Sequence, residues 1–208
     1  MFLYLGMKTF CLSLIFLFGV LLSKQSNIGP IRVVAQGDSV LIKLKNKKAA
    51  VDQYLIKHDK ALIVLVKVPG KTNLLRIKNG HWPDEIEYTY NILRDTTGRI
   101  ILVSQIPFSQ SGDWFITYTH YFDEKGNTYA FRKQTNVFDS EVKGGVIYET
   151  LLRYYDVNFS ILKKTYTLQD KGGKTIRNNG HVDIYQYKYE TYKNLDACLK
   201  GYHIKGAN

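Results

Sequence analysis

The chain has 208 residues, with 29 Lys+Arg against 18 Asp+Glu, a net charge of +11 and two cysteines. One cysteine, Cys11, lies inside an N-terminal apolar run, so the rest of the chain holds Cys198 alone and an internal disulfide scaffold is excluded. A basic balance favours anionic partners, but the charges are scattered, and the N-terminal apolar run, which reads as an export signal, argues against nucleic acid.

Residues 1–23 read as a secretory signal peptide. Lys8 precedes the apolar run Phe10–Leu22, and Ser23 offers a small residue at the cut. An uncleaved anchor is the alternative, but the run is shorter than the roughly 20 residues that a spanning helix needs. Cys11 sits within the run rather than after it, so no lipoprotein box is present. Met7 is a second candidate start. The expected product is exported, to the periplasm or the outer surface, and is free of an integral membrane segment after cleavage. Removing Lys8 with the leader takes the net charge from +11 to +10. Residues 24–208 are expected to form a single β-rich domain, long enough to bury roughly 70% of its unfolded surface without staples.

The first elements predicted in that domain are Ile31–Gln36 and Ser39–Lys45, flanking Gly37-Asp38 as a two-residue hairpin. Lys43, Lys45, Lys47 and Lys48 then read as a solvated face or a guarded strand edge. Lys47–Lys57 suits a short helix through Val51, Tyr54 and Leu55 or a strand. Ala61–Val68 is a continuous apolar run closed by Pro69-Gly70, the pattern of a central strand. His81-Trp82-Pro83-Asp84 is a loop, and Trp82 with His81 is the leading ligand-contact candidate, because binding groups concentrate on loops. The competing reading makes Trp82 a hydrophobic plug.

Glu85–Ile92 alternates cleanly, with Ile86, Tyr88, Tyr90 and Ile92 on one face. From there the punctuation is regular. Asp95-Thr96-Thr97-Gly98, Asp123-Glu124-Lys125-Gly126 and Asp170-Lys171-Gly172-Gly173 each open on an Asp that bonds its own backbone and end on a Gly. They separate the predicted strands Tyr90–Arg94 and Arg99–Ile106, Trp114–Phe122 and Asn127–Lys133, and Ser160–Leu168 and Lys174–Arg177. A fourth turn is expected at Asp156–Asn158, after Val146–Tyr155. His120 shares a face with Trp114, Ile116, Tyr118 and Phe122, either in the core or as the polar member of a pocket.

Nine of the 16 tyrosines lie between Tyr148 and Tyr202. Asp183–Thr191 alternates Tyr185, Tyr187 and Tyr189 against polar residues, predicting a strand after an Asn179-Gly180 turn and a Tyr face able to stack on a ligand. His181 and Asp183 would share a face, but no third ligand is apparent, so no metal site is predicted. Asn194–Lys200 reads as a helix with Asn194 as N-cap and Gly201 as C-cap. In all, about twelve strands are expected. The class is all-β, mainly an antiparallel meander built as a sandwich, barrel or curved sheet, with a short C-terminal helix.

The stretch Tyr118-Thr119-His120-Tyr121-Phe122-Asp123-Glu124-Lys125-Gly126-Asn127-Thr128-Tyr129 resembles the hairpins of uncharacterised exported proteins of Bacteroidetes. That resemblance implies a β-rich envelope protein and supplies no catalytic residue.

No Gly-x-Ser-x-Gly elbow, His-Glu-x-x-His string, cysteine pair, phosphate loop or calcium loop occurs in the sequence. No cofactor is predicted. The first reading is therefore a non-catalytic exported protein that binds a glycan, a peptide or an envelope component through Trp82, His81, Tyr185, Tyr187, Tyr189 or His120. Second comes a carrier of lipid or other apolar cargo. Third comes a hydrolase whose site is assembled across strands from His120, His181, Asp183 or Asp123.

Overall fold

The computed structural model describes residues 36–142, 144–177 and 187–205, which lie in a compact unit spanning Val34–Asn208. The predicted leader, the Asn179-Gly180 turn, His181, Asp183 and Tyr185 lie outside the described residues. Eight strands, not twelve, make one antiparallel sheet among the described residues: β1 (Ile63–Lys67), β2 (Leu75–Arg76), β3 (Tyr88–Arg94), β4 (Ile100–Pro107), β5 (Trp114–Phe122), β6 (Thr128–Phe138), β7 (Val146–Tyr155) and β8 (Ile161–Asp170). Their order is β2-β1-β3-β4-β5-β6-β7-β8, a meander with β2 and β8 at opposite edges. A sandwich would need a second sheet, and a barrel would need its edges to pair, so both alternatives give way to one open sheet.

The hairpin expected around Gly37-Asp38 is replaced by a helix, α1 (Gln36–Lys57). The local Ile/Lys alternation at 42–45 imitates a strand. The longer stripe Leu41, Leu44, Lys48, Val51 and Leu55 is spaced 3-4-3-4, which puts one side of a helix on the sheet. Asp38 suits the positive end of that helix, and Ala49-Ala50 favours its interior. The lysine cluster is correspondingly split. Lys43 and Lys45 are exposed, whereas Lys48 is buried and holds Asp52 at 2.6 Å. Tyr121 of β5 donates its hydroxyl to the other oxygen of Asp52 at 2.8 Å, and Lys47 pairs with Glu124 at 2.7 Å.

The four Asp turns share one geometry. Asp95, Asp123, Asp156 and Asp170 each accept a side-chain bond from the backbone N–H two residues on, at 2.9 Å in all four. The residue three past each Asp then takes positive φ: Gly98 at 87°, Gly126 at 78° and Gly173 at 79°. In the fourth turn that place belongs to Phe159, at φ 66°, a conformation costing of order 1 kcal/mol or more for a bulky residue. Its ring stacks on Tyr155 with centroids 4.4 Å apart, which offsets part of that cost.

Each face of the sheet has its own cover. Val51 of α1 packs with Leu93, Leu102, Tyr121, Ala130 and Tyr154. On the other face, Tyr90, Ile92, Val103 and Phe122 meet Cys198 and Leu199 of α2 (Leu195–Gly201), with Tyr202 and Ile204 beyond it. Asn194 is the N-cap, its side chain accepting from the Ala197 N–H at 2.9 Å. Gly201 is the last helical residue and Tyr202 the cap. A β-carbon at 201 would collide with the tip of the Tyr192 ring, so a larger residue there requires that ring to move. Tyr187–Thr191, expected as half of a strand, lies outside the sheet. It runs over the face of β5 and β6 instead, with Tyr189 stacked on Tyr118 at 4.8 Å and on Phe131 at 5.5 Å.

Between the apolar clusters of that face sits an ion pair. Lys133 and Glu149, 9% and 5% exposed, meet at 2.8 Å, and Thr135 donates to the same carboxylate at 2.7 Å. Removing one partner strands a desolvated charge. Glu149→Gln is expected to lower unfolding free energy by about 3 kcal/mol in urea titration, while Lys133→Met with Glu149→Leu restores most of the loss. A double variant no more stable than Glu149→Gln would count against this account.

Candidate functional site

Pairing at the start of β3 continues past the strand itself. The Glu87 N–H donates to the Lys67 carbonyl at 2.8 Å, and the Phe108 N–H donates to the Glu87 carbonyl at 3.0 Å. Tyr88 lies opposite Pro107 in the same ladder. These bonds hold Asp84–Glu87 beside the turn that links β4 to β5. Trp114 opens β5, and Tyr187 packs on it with ring centroids 5.1 Å apart at 37°.

Together these groups line an open surface cleft of about 1140 Å3. Tyr88, Phe108, Trp114 and Tyr187 supply aromatic surface, Pro69 and Ile86 supply apolar surface, and Gln110 and Ser111 supply hydrogen-bonding groups. Phe108 is 50% exposed and Tyr187 38% exposed, large values for rings on a folded chain. Asp84, Glu85 and Glu87 are exposed members of the same lining, and none is in an ion pair among the described residues. No Lys, Arg or His lines the cleft among the described residues.

The residues singled out in the sequence are dispersed. Tyr187 lines the cleft. Tyr189 is half-buried between Tyr118 and Phe131, where it serves packing. Trp82 is 48% exposed, and it and His81 stand on the loop after the Asn79-Gly80 turn, outside the cleft lining. Phe108, Glu85 and Glu87 were not singled out. The signal that would have found the two glutamates is compositional: three acids in the four residues Asp84–Glu87 of a strongly basic chain.

His120 belongs to the core. It is fully buried, surrounded by the rings of Phe122, Phe131, Tyr192 and Tyr202. Its Nε2 accepts the Tyr192 N–H at 3.1 Å, while Nδ1 has no partner among the described residues. Burial holds its pKa down to about 3. Asp123 is engaged in its own turn, accepting from the N–H groups of Lys125 and Asn127. Burial also pushes the Cys198 thiol well up, so it stays protonated. No group of three or more His, Cys, Asp or Glu is placed to hold a metal among the described residues. No helix among the described residues is long and apolar enough to cross a membrane.

No protein-family model matches the chain, and no characterised protein or solved structure matches it.

The neutral state of His120 makes stability depend on pH. The unfolded imidazole takes its proton near 6.5 and the folded one only near 3. Its contribution is therefore complete above about pH 6.5 and is lost as pH falls toward 3, at up to about 1.4 kcal/mol per pH unit. His120→Phe keeps the ring but removes the proton site, at the cost of the Tyr192 bond. The stability gap between wild type and variant, measured by urea unfolding at several pH values, is expected to close between pH 6.5 and 4. A gap independent of pH would refute the assignment.

Proposed function

We propose that this is an exported, non-catalytic binding protein that holds a glycan, peptide or other envelope component in the aromatic cleft beside Trp114 and Tyr187. The observation that carries this reading is the convergence of Phe108, Trp114, Tyr187 and Tyr88 on one concavity, with two of the rings widely open to solvent. Contiguous exposed aromatic surface is costly to keep in water and is a common mark of a binding site. On the β3 side the lining is held by backbone bonds, Glu87 to Lys67 and Phe108 to Glu87, which lowers the ordering a ligand must impose there. The export signal adds the compartment to this reading.

Two other readings weigh less. Carriage of apolar cargo draws on a smaller cleft of about 580 Å3, where Val40 and Leu44 of α1 face Tyr129, Val157 and Leu162. It is open to solvent at Val157, which is 89% exposed. A hydrolase site gains no support from His120, buried and bonded to backbone, or from Asp123, occupied by its own turn.

The chain has two tryptophans, so Trp82→Phe leaves Trp114 as the sole indole reporter of the cleft. Screening that variant against glycans and peptides is expected to find a ligand that shifts Trp114 fluorescence saturably. Phe108→Ala and Tyr187→Ala should each weaken that ligand about tenfold, or about 1.4 kcal/mol, with thermal melting unchanged. A ligand indifferent to both substitutions would place binding elsewhere and defeat the proposal.

A further inference from the structure

We infer that the cleft takes an extended peptide segment bearing lysine or arginine side chains, supplied by a partner protein. The inference rests on the cleft being a ligand site at all, and goes on to name what it selects.

The first observation is electrostatic. Basic residues outnumber acidic ones 29 to 18, so a cleft whose charged lining is acidic among the described residues runs against the chain's overall balance. Glu124 is taken by Lys47, Asp52 by Lys48, Asp95 by Arg99 and Glu149 by Lys133. Asp84, Glu85 and Glu87, without an ion pair among the described residues, are gathered on one cleft whose lining carries no basic residue among the described residues. An anionic glycan would be repelled there, and a neutral glycan would gain stacking but nothing from the charge. A cation uses both.

The second observation is that the same chain already holds lysine this way, twice. The Lys47 ammonium lies 5.1 Å from the centre of the Tyr129 ring while bonding Glu124 at 2.7 Å. The Lys48 ammonium lies 4.9 Å from the centre of the Tyr121 ring while bonding Asp52 at 2.6 Å. Aromatic face plus carboxylate is a chemically sufficient receptor for an ammonium or guanidinium group, because the ring quadrupole and the anion attract it together. The cleft lining holds both kinds of group, with no Lys, Arg or His among its described residues.

The third observation is size. A volume of about 1140 Å3 exceeds what one side chain fills, so a run of several residues is accommodated, and Gln110 and Ser111 can bond its backbone. The chain's net positive charge disfavours such a segment over the surface at large.

The test uses residues 24–208 carrying Trp82→Phe, with Trp114 fluorescence as readout. The probes are hexa-arginine, hexalysine, hexaglutamate and a neutral N-acetylglucosamine hexamer. The two cationic peptides are expected to bind saturably, hexaglutamate not at all. Glu85→Gln with Glu87→Gln should weaken the cationic peptides at least roughly tenfold without changing the melting temperature, and raising salt to about 0.5 M should do the same. Asp84→Asn gives a milder second variant should the double one be perturbed. If the neutral sugar binds in a Tyr187-dependent way and the cationic peptides do not, the inference fails while the cleft remains a ligand site. If the cationic peptides bind but ignore both the glutamine pair and Tyr187→Ala, they bind elsewhere and the inference fails. If no probe binds to the folded protein, the inference fails and the ligand-site reading loses its support.

Discussion

A single open sheet has two apolar faces, and each must be covered from outside the sheet. The other features follow from how that is done. On the face of β5 and β6, cover comes from Tyr187–Ile204, a segment that does not pair as a strand. Tyr189 lies on Tyr118 and Phe131, the Tyr192 N–H reaches His120, and α2 seals Tyr90, Ile92 and Phe122. Backbone bonds from Thr128 to Lys193 and from Leu195 to Gly126 clamp it at the β5–β6 turn. Without it, Ile116, Tyr118 and Phe131, now virtually inaccessible, would face water. The buried neutral imidazole fits this logic, since it accepts the strap's N–H without bringing a charge into the core.

The opposite face is closed by a helix that is itself rich in lysine. Lys48 is desolvated, which pushes its pKa down, and Asp52 opposes that shift by pairing with it. Asp52 also accepts from Tyr121 and lies 3.9 Å from Arg132, so one carboxylate serves three donors. Such an arrangement fixes the helix's position on the sheet, because sliding by a turn would strand the charges.

Much of the sheet was legible from local chemistry. β5 and β7 fall where alternation and turn residues put them, and the four Asp turns form as their Asp and Gly residues demand, with Phe159 taking the glycine role in the last. Those signals are short-range, acting over two to four residues. Two readings failed for the converse reason. The 42–45 alternation suited a strand until the 3-4-3-4 stripe out to Leu55 outweighed it. The Tyr185–Tyr189 alternation suited a strand too, yet the described part packs rings against β5 instead of joining a ladder. Period two reports an extended chain with two unlike faces and cannot say whether a neighbour will pair with it.

By itself the sequence determined the β class, the hairpin turns and the capped C-terminal helix, because each depends on residues adjacent in the chain. It also carried the acidic run Asp84–Glu87 in plain view. Only the tertiary structure decided that the strands form one open sheet, that His120 lies in the core, and that Tyr88, Phe108, Trp114 and Tyr187 line one cleft with those acids. Residues 84 and 187 are brought to one concavity by strand order and by the strap, and no local preference encodes that meeting.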